Sequence, residues 1–195
     1  MKQQIPYWHV DAFSAEPFGG NQAAVMVLDD WLPDSVLQQI GEENNFAETA
    51  FLVRDDSGEA DWELRWFTPT DEVALCGHAT LASGHVLLSA PERFGSGERV
   101  TFRTRKAGVL EVVKKGESFE LALPVTLVEP SSQPELLAAI GFRGEVYLSY
   151  TGAEQTAVIL MESEEEIRAL QPDMEKLRGI DLMAICTAPG KTHDV

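Results

Sequence analysis

Cys76-Gly77-His78-Ala79-Thr80-Leu81-Ala82-Ser83-Gly84-His85-Val86-Leu87-Leu88-Ser89 is the stretch on which the reading of this chain turns. From residue 78 to 89 it is rich in Ala, Leu and Val, with Leu81, Val86 and Leu88 apolar, and it reads as a buried helix entered through Gly77. Upstream, residues 7–13 alternate about the polar His9 and Asp11, Gly19-Gly20-Asn21 turns the chain, and residues 23–28 return as the second strand of a hairpin. Pro33-Asp34-Ser35 opens a helix through Ile40 that sets Val36, Leu37 and Ile40 on one face. Residues 46–53 follow as a strand, and residues 62–67 alternate as another. Downstream, residues 98–105 and 108–114 supply two more strands, which close a first unit over residues 1–115.

The second half, residues 116–195, replays this order. Residues 152–161 resemble residues 20–28, each a Gly-led turn, an Ala-Val strand and an acidic loop. Helical residues 167–170 and 174–177 stand for 36–40, and residues 179–185 offer the strand matching 46–53. The repetition implies an internal duplication of one α/β unit. A counterpart of residues 66–88 would come next, yet the chain stops at Val195, so the second unit is expected to be incomplete.

A chain of 195 residues with 44% hydrophobic content can bury a core, and 15 Lys+Arg against 32 Asp+Glu give a net charge of −17. Such a charge repels phosphate backbones and anionic membrane surfaces at long range, so neither nucleic acid nor membrane is expected as a partner. No apolar signal core and no long uncharged hydrophobic span occurs, and a cytoplasmic location is expected. Cys76 and Cys186 each sit in an apolar setting, which fits reduced thiols better than a disulfide framework. Trp8, Trp31, Trp62 and Trp66 read as packing residues, since no basic stripe accompanies them.

Two features carry chemistry. Glu48 lies in Asn45-Phe46-Ala47-Glu48-Thr49-Ala50-Phe51-Leu52-Val53, otherwise uncharged, where burial would favour the neutral acid as a general acid/base requires. By pattern alone it could equally be a strand-edge carboxylate facing water. Gly77 and His78 lie where free backbone N–H groups and the positive end of a helix would attract an anion such as a carboxylate. The plainer reading is a helix entry with a half-buried His and a core Cys. Neither Gly19-Gly20-Asn21 nor Gly77 matches a dinucleotide fingerprint or a phosphate loop. His9, His78, His85 and His193 are scattered without Cys-x-x-Cys or His-Glu-x-x-His, so no metal is expected. A Cys nucleophile with a His partner is a further reading of Cys76 and His78, although positions flanking one Gly seldom orient as a triad-like pair.

The ordered set Asp11-Ala12-Phe13, Pro17-Phe18-Gly19-Gly20-Asn21, Glu48-Thr49-Ala50-Phe51, Arg65-Trp66-Phe67-Thr68-Pro69 and Cys76-Gly77-His78-Ala79-Thr80 resembles the phenazine-biosynthesis PhzF-like family across the whole chain. The resemblance implies the diaminopimelate-epimerase fold, an α/β (α+β) architecture of two pseudo-repeated units, each wrapping a curved sheet around a central helix, with the active site between them. It implies an isomerase or epimerase without metal or organic cofactor, in which Glu48 takes a proton from one carbon of a small carboxylate-bearing metabolite and returns it to another. Gly77 and His78 would hold the substrate, with Ala47, Cys76 and Asn21 as further substrate-binding positions, and a homodimer is implied. Cys76 is similar to the position where true epimerases keep one of two catalytic cysteines, which leaves a thiol-dependent reaction as an alternative. Ala47 stands where the family commonly has Ser, and Gln22 where a Pro usually follows Gly-Asn. The family's second-half Asp-Pro-Val-Thr-Gly-Ser-like stretch has no equivalent, the run toward it starting at Thr187-Ala188-Pro189-Gly190. A non-catalytic binding module is the corresponding alternative.

Overall fold

A computed structural model describes residues 4–16, 18–149 and 155–191. Pro17, Gly152 and His193, cited above, lie outside the described residues. The chain divides into two units, 1–124 and 125–195.

In the first unit, β1 (Tyr7–Ala12) and β2 (Asn21–Val27) form the hairpin, α1 (Asp34–Asn44) crosses over, and β3 (Glu48–Arg54) returns parallel to β2. Next come β4 (Trp62–Phe67), the short β5 (Glu72–Val73), α2 (Gly77–Ser89), α3 (Pro91–Phe94), β6 (Arg99–Arg103), β7 (Val109–Lys115) and β8 (Ser118–Ala122). The strands form one sheet in the order β1-β2-β3-β4-β6-β7-β8, with β5 on β4. Helix α2 touches both β1 and β8, the two ends of that order, so the sheet curls around it. This enclosure is why α2 carries almost no polar face: His78, Ala79, Thr80, Ala82, Ser83, Gly84, Val86, Leu87 and Leu88 are all buried. Each apolar side chain of the size of Leu87 or Val86 contributes about 1.5–3 kcal/mol by such burial.

Strand β3 alternates between two cores. Ala50 and Leu52 pack toward α2 with Val25, Leu64, Trp66 and Leu87, while Phe51 and Val53 pack toward α1 with Met26, Leu37 and Phe67. A strand covered on both faces is apolar at nearly every position, as residues 49–53 are. Against α1, Arg65 is only 2% exposed and held by Asp34 at 2.9 Å and by Glu72 through two bonds of 2.8 Å, between the rings of Trp31 and Phe67.

The second unit comprises β9 (Val128–Ser131), α4 (Pro134–Ile140), β10 (Glu145–Ser149), β11 (Thr156–Leu160), α5 (Glu164–Ala169), α6 (Met174–Leu177) and β12 (Met183–Thr187). Its sheet runs β12-β11-β10-β9 over a core of Leu136, Ile140, Val146, Ala157, Ile159 and Met161. The duplication is visible in pairing: β10 and β11 are antiparallel and β12 returns parallel to β11, as β1, β2 and β3 do. Leu28 N–H donates to the Leu52 carbonyl and Met161 N–H to the Thr187 carbonyl, both at 2.8 Å. In this register Met183 corresponds to Glu48.

Several expected boundaries shift. The unit boundary falls after residue 124 rather than 115, because Gly116, with φ of 63°, turns the chain and β8 pairs with β7. Helix α1 runs on to Asn44, past Ile40, and ends where Asn45 adopts φ of 52° and donates to the Gly41 carbonyl. The last strand starts at Met183, not at residue 179, since the amides of Gly179 and Ile180 fold back onto the carbonyls of Lys176 and Leu177.

Candidate active site

The predicted residues meet where three elements begin. Glu48 is the first residue of β3, Asn21 and Gln22 open β2, and Cys76 is the N-cap of α2, with Gly77 and His78 its first two helical residues. Parallel pairing sets the start of β3 beside that of β2, Glu48 opposite Ala23, and α2 enters the curled sheet at the same end.

His78 is the centre of the cluster, with a side chain 9% exposed. Its Nδ1 lies 3.4 Å from Cys76 Sγ and its Nε2 lies 3.3 Å from the Gln22 carbonyl oxygen. Nε2 is also 3.2 Å from Oε2 of Glu48, a carboxylate 19% exposed. That oxygen is buried and lacks an aligned hydrogen-bond donor among the described residues. Cys76 and His78 thus lie within hydrogen-bond distance across Gly77. Cys76 is extended, with φ of −141° and ψ of 112°, while His78 is helical, which folds one side chain over the other across Gly77. Thr80 Oγ1, fully buried, donates to the Cys76 carbonyl at 2.5 Å and steadies this entry.

Burial pushes the Cys76 thiol up to about 12, the Glu48 carboxylate adding to the shift against the pull of the Ala79 and His78 amides. The sulfur is thus a neutral thiol near pH 7. No side-chain hydrogen bond caps α2, so its first amides keep donor capacity that a helix normally gives to a cap or ligand. A Cβ added at Gly77 would meet nothing closer than Leu123 Cδ1 at 3.8 Å, and Gly77 has no left-handed φ, so it sits in an open first turn of α2.

Ala47 and Asn21 are exposed beside the cluster, without contacts that assign them a role. Glu48, Cys76 and His78 bring donor atoms within 4.8 Å of one another, which scattered His positions did not foreshadow. The sulfur and the carboxylate address opposite nitrogens of one imidazole, however, an arrangement suited to proton handling more than to one shared ion. Sequence reading missed the Gln22 carbonyl, since a backbone atom leaves no signature in residue identity. A cavity of about 380 Å³ beside His9, Phe13, Leu81 and His85, and another of about 260 Å³ beside Trp66 and Arg105, are lined by other residues than this trio.

Comparison with known proteins agrees with this architecture. Residues 10–194 match the phenazine biosynthesis-like protein family, PhzC-PhzF. An uncharacterized isomerase of Pseudomonas aeruginosa is 43% identical over 197 residues, covering 98% of this chain and 70% of that protein. A human phenazine biosynthesis-like domain-containing protein is 38% identical over 138 residues, 68% of this chain and 47% of its own. Among solved structures, a PhzF-family protein of Enterococcus faecalis superposes with a TM-score of 0.77 at 42% identity, covering 97% of this chain and 70% of that one. A probable proline racemase of Agrobacterium radiobacter, at 13% identity and a TM-score of 0.53 over 80% of this chain and 52% of its own, shares the fold alone. No helix among the described residues is long and apolar enough to cross a membrane. The chain belongs to the phenazine biosynthesis-like, PhzC-PhzF family of isomerases.

Proposed function

We propose that this site moves a proton between carbon atoms of a small carboxylate-bearing metabolite, with Glu48 as the general acid/base. The observation that carries the reading is the Glu48 carboxylate oxygen, buried beside His78 yet without an aligned donor. An acceptor left open in a largely desolvated place is costly to the fold, and a substrate C–H is the proton source it would address. The ionised carboxylate takes the proton, leaving the electron pair delocalised toward the substrate's own unsaturated group. The protonated carboxyl then returns the proton to the second carbon, so no atom is gained or lost.

The substrate carboxylate would sit at the uncapped start of α2, where the Gly77 amide and the helix dipole oppose the chain's net charge of −17 locally. A thiolate mechanism through Cys76 is disfavoured by the thiol's shift to about 12. The reading needs neither metal nor organic cofactor. Its test is Glu48→Gln in the whole protein, followed by deuterium incorporation from solvent into a panel of small unsaturated carboxylic acids. A fall of about 100-fold or more is expected, the usual range for a general base. Exchange at the wild-type rate removes Glu48 from the mechanism.

A further inference from the structure

We infer that Cys76 is a positioning residue: its thiol donates to Nδ1 of His78 and so holds the imidazole as the tautomer that carries its proton on Nε2. The argument follows from which groups can donate. The Gln22 carbonyl oxygen, 3.3 Å from Nε2, has only lone pairs, so a hydrogen bond there requires the proton on Nε2. The Glu48 carboxylate beside the same nitrogen, at 3.2 Å, is again an acceptor when ionised. Both neighbours of Nε2 therefore select the N–H form at that atom. In a neutral ring Nδ1 is then an acceptor, and the group that faces it is Cys76 Sγ at 3.4 Å. A buried thiol that keeps its proton completes the pattern, whereas a thiolate would demand a proton on Nδ1 instead.

The consequence reaches the proposed reaction, on which this part of the inference rests. With Nδ1 occupied, the ring cannot exchange its N–H and acceptor sides, and Nε2–H stays on the Gln22 carbonyl, which leaves Glu48 Oε2 an open acceptor beside it. The imidazole beside the carboxylate is thereby fixed in one protonation pattern before substrate arrives, which is what efficient proton transfer needs. The Glu48 carboxylate also lies within reach of the sulfur, but Cys76 acts through His78 and forms no bond to substrate, the reverse of a nucleophilic cysteine.

The distinguishing experiment combines ring ¹⁵N NMR of His78 with turnover in Cys76→Ala and Cys76→Ser. Wild-type protein near neutral pH is expected to show a protonated Nε2 and an unprotonated Nδ1. Cys76→Ala is expected to show a mixture of tautomers and to lower kcat about tenfold or more with a smaller change in KM. Cys76→Ser, whose hydroxyl can donate to Nδ1, is expected to restore both the single tautomer and most of kcat. A proton on Nδ1 in the wild type overturns the inference, and so does a Cys76→Ser protein as slow as Cys76→Ala. The NMR pattern is read without substrate, so it stands or falls separately from the Glu48→Gln exchange result.

Discussion

Glu48 and Met183 hold the same register position in their respective sheets, yet only the first brings a carboxylate to the start of a parallel strand. The proposed proton-transfer group thus exists once among the described residues of the two units. Its neighbour Gly77 offers a way to separate binding from folding. Nothing within 3.4 Å crowds an added methyl group there and φ is not left-handed, so Gly77→Ala is expected to match or exceed wild-type stability in urea unfolding. The methyl group would stand over the first amides of α2, where the substrate carboxylate is proposed to lie. A rise in KM of about tenfold, roughly 1.4 kcal/mol of binding, is the expected kinetic result. Unchanged KM would move the carboxylate elsewhere. Glu48 and His78 were legible as candidates because charged or polar residues in apolar runs stand out. The Gln22 carbonyl was not, because main-chain atoms are the same at every position.

Helix α2 is the element on which the site depends, since it carries His78 at one end and fills the sheet along its length. Its closest approach is at Gly84, where a Cβ would come within 2.4 Å of Val112 Cγ1 and 2.7 Å of Val112 Cβ. Val112 is β-branched and itself fully buried in β7, so it cannot swing aside. Gly84→Ala is expected to destabilise by about 1–3 kcal/mol in urea unfolding, despite the better helix propensity of Ala. Adding Val112→Ala should recover part of that loss, a coupling expected only of residues in contact. A stabilised Gly84→Ala protein would mean that α2 does not sit this close to β7. The alternation of residues 62–67 matches the bounds of β4, Trp62–Phe67. The last strand, β12, begins four residues later than its sequence pattern predicts, because local turn bonds claim Ile180 and Leu182, the apolar residues of that stretch.

At the scale of the whole chain, the segment joining the two units has little to protect it. Residues 122–130 are exposed throughout, and no helix or strand covers 123–127. Brief digestion with a protease selective for large apolar residues is expected to cut first at Leu127, giving a fragment ending there and one beginning at residue 128. Intact-mass analysis of the products checks this. An early cut inside β3 or α2 would show that the first unit opens more readily than the segment that follows it.

The sequence by itself determined the family, the longer strands and helices of the first unit apart from β5, α3 and β8, the repeated strand-helix-strand order of the second half, and the nomination of Glu48, Cys76, Gly77 and His78. These depend on residue types at fixed spacings, which local periodicity and motif order record. Tertiary structure alone decided that β8 belongs to the first sheet, that Met183 holds the register position equivalent to that of Glu48, and that Cys76 and the Gln22 carbonyl address opposite nitrogens of His78. Each depends on which segments pair across long stretches of chain, and on backbone groups that all residues share. The physical cause is the curl of the sheet about α2, which brings the starts of β2, β3 and α2 to one end although Asn21 and Glu48 are 27 positions apart and Glu48 and Cys76 are 28.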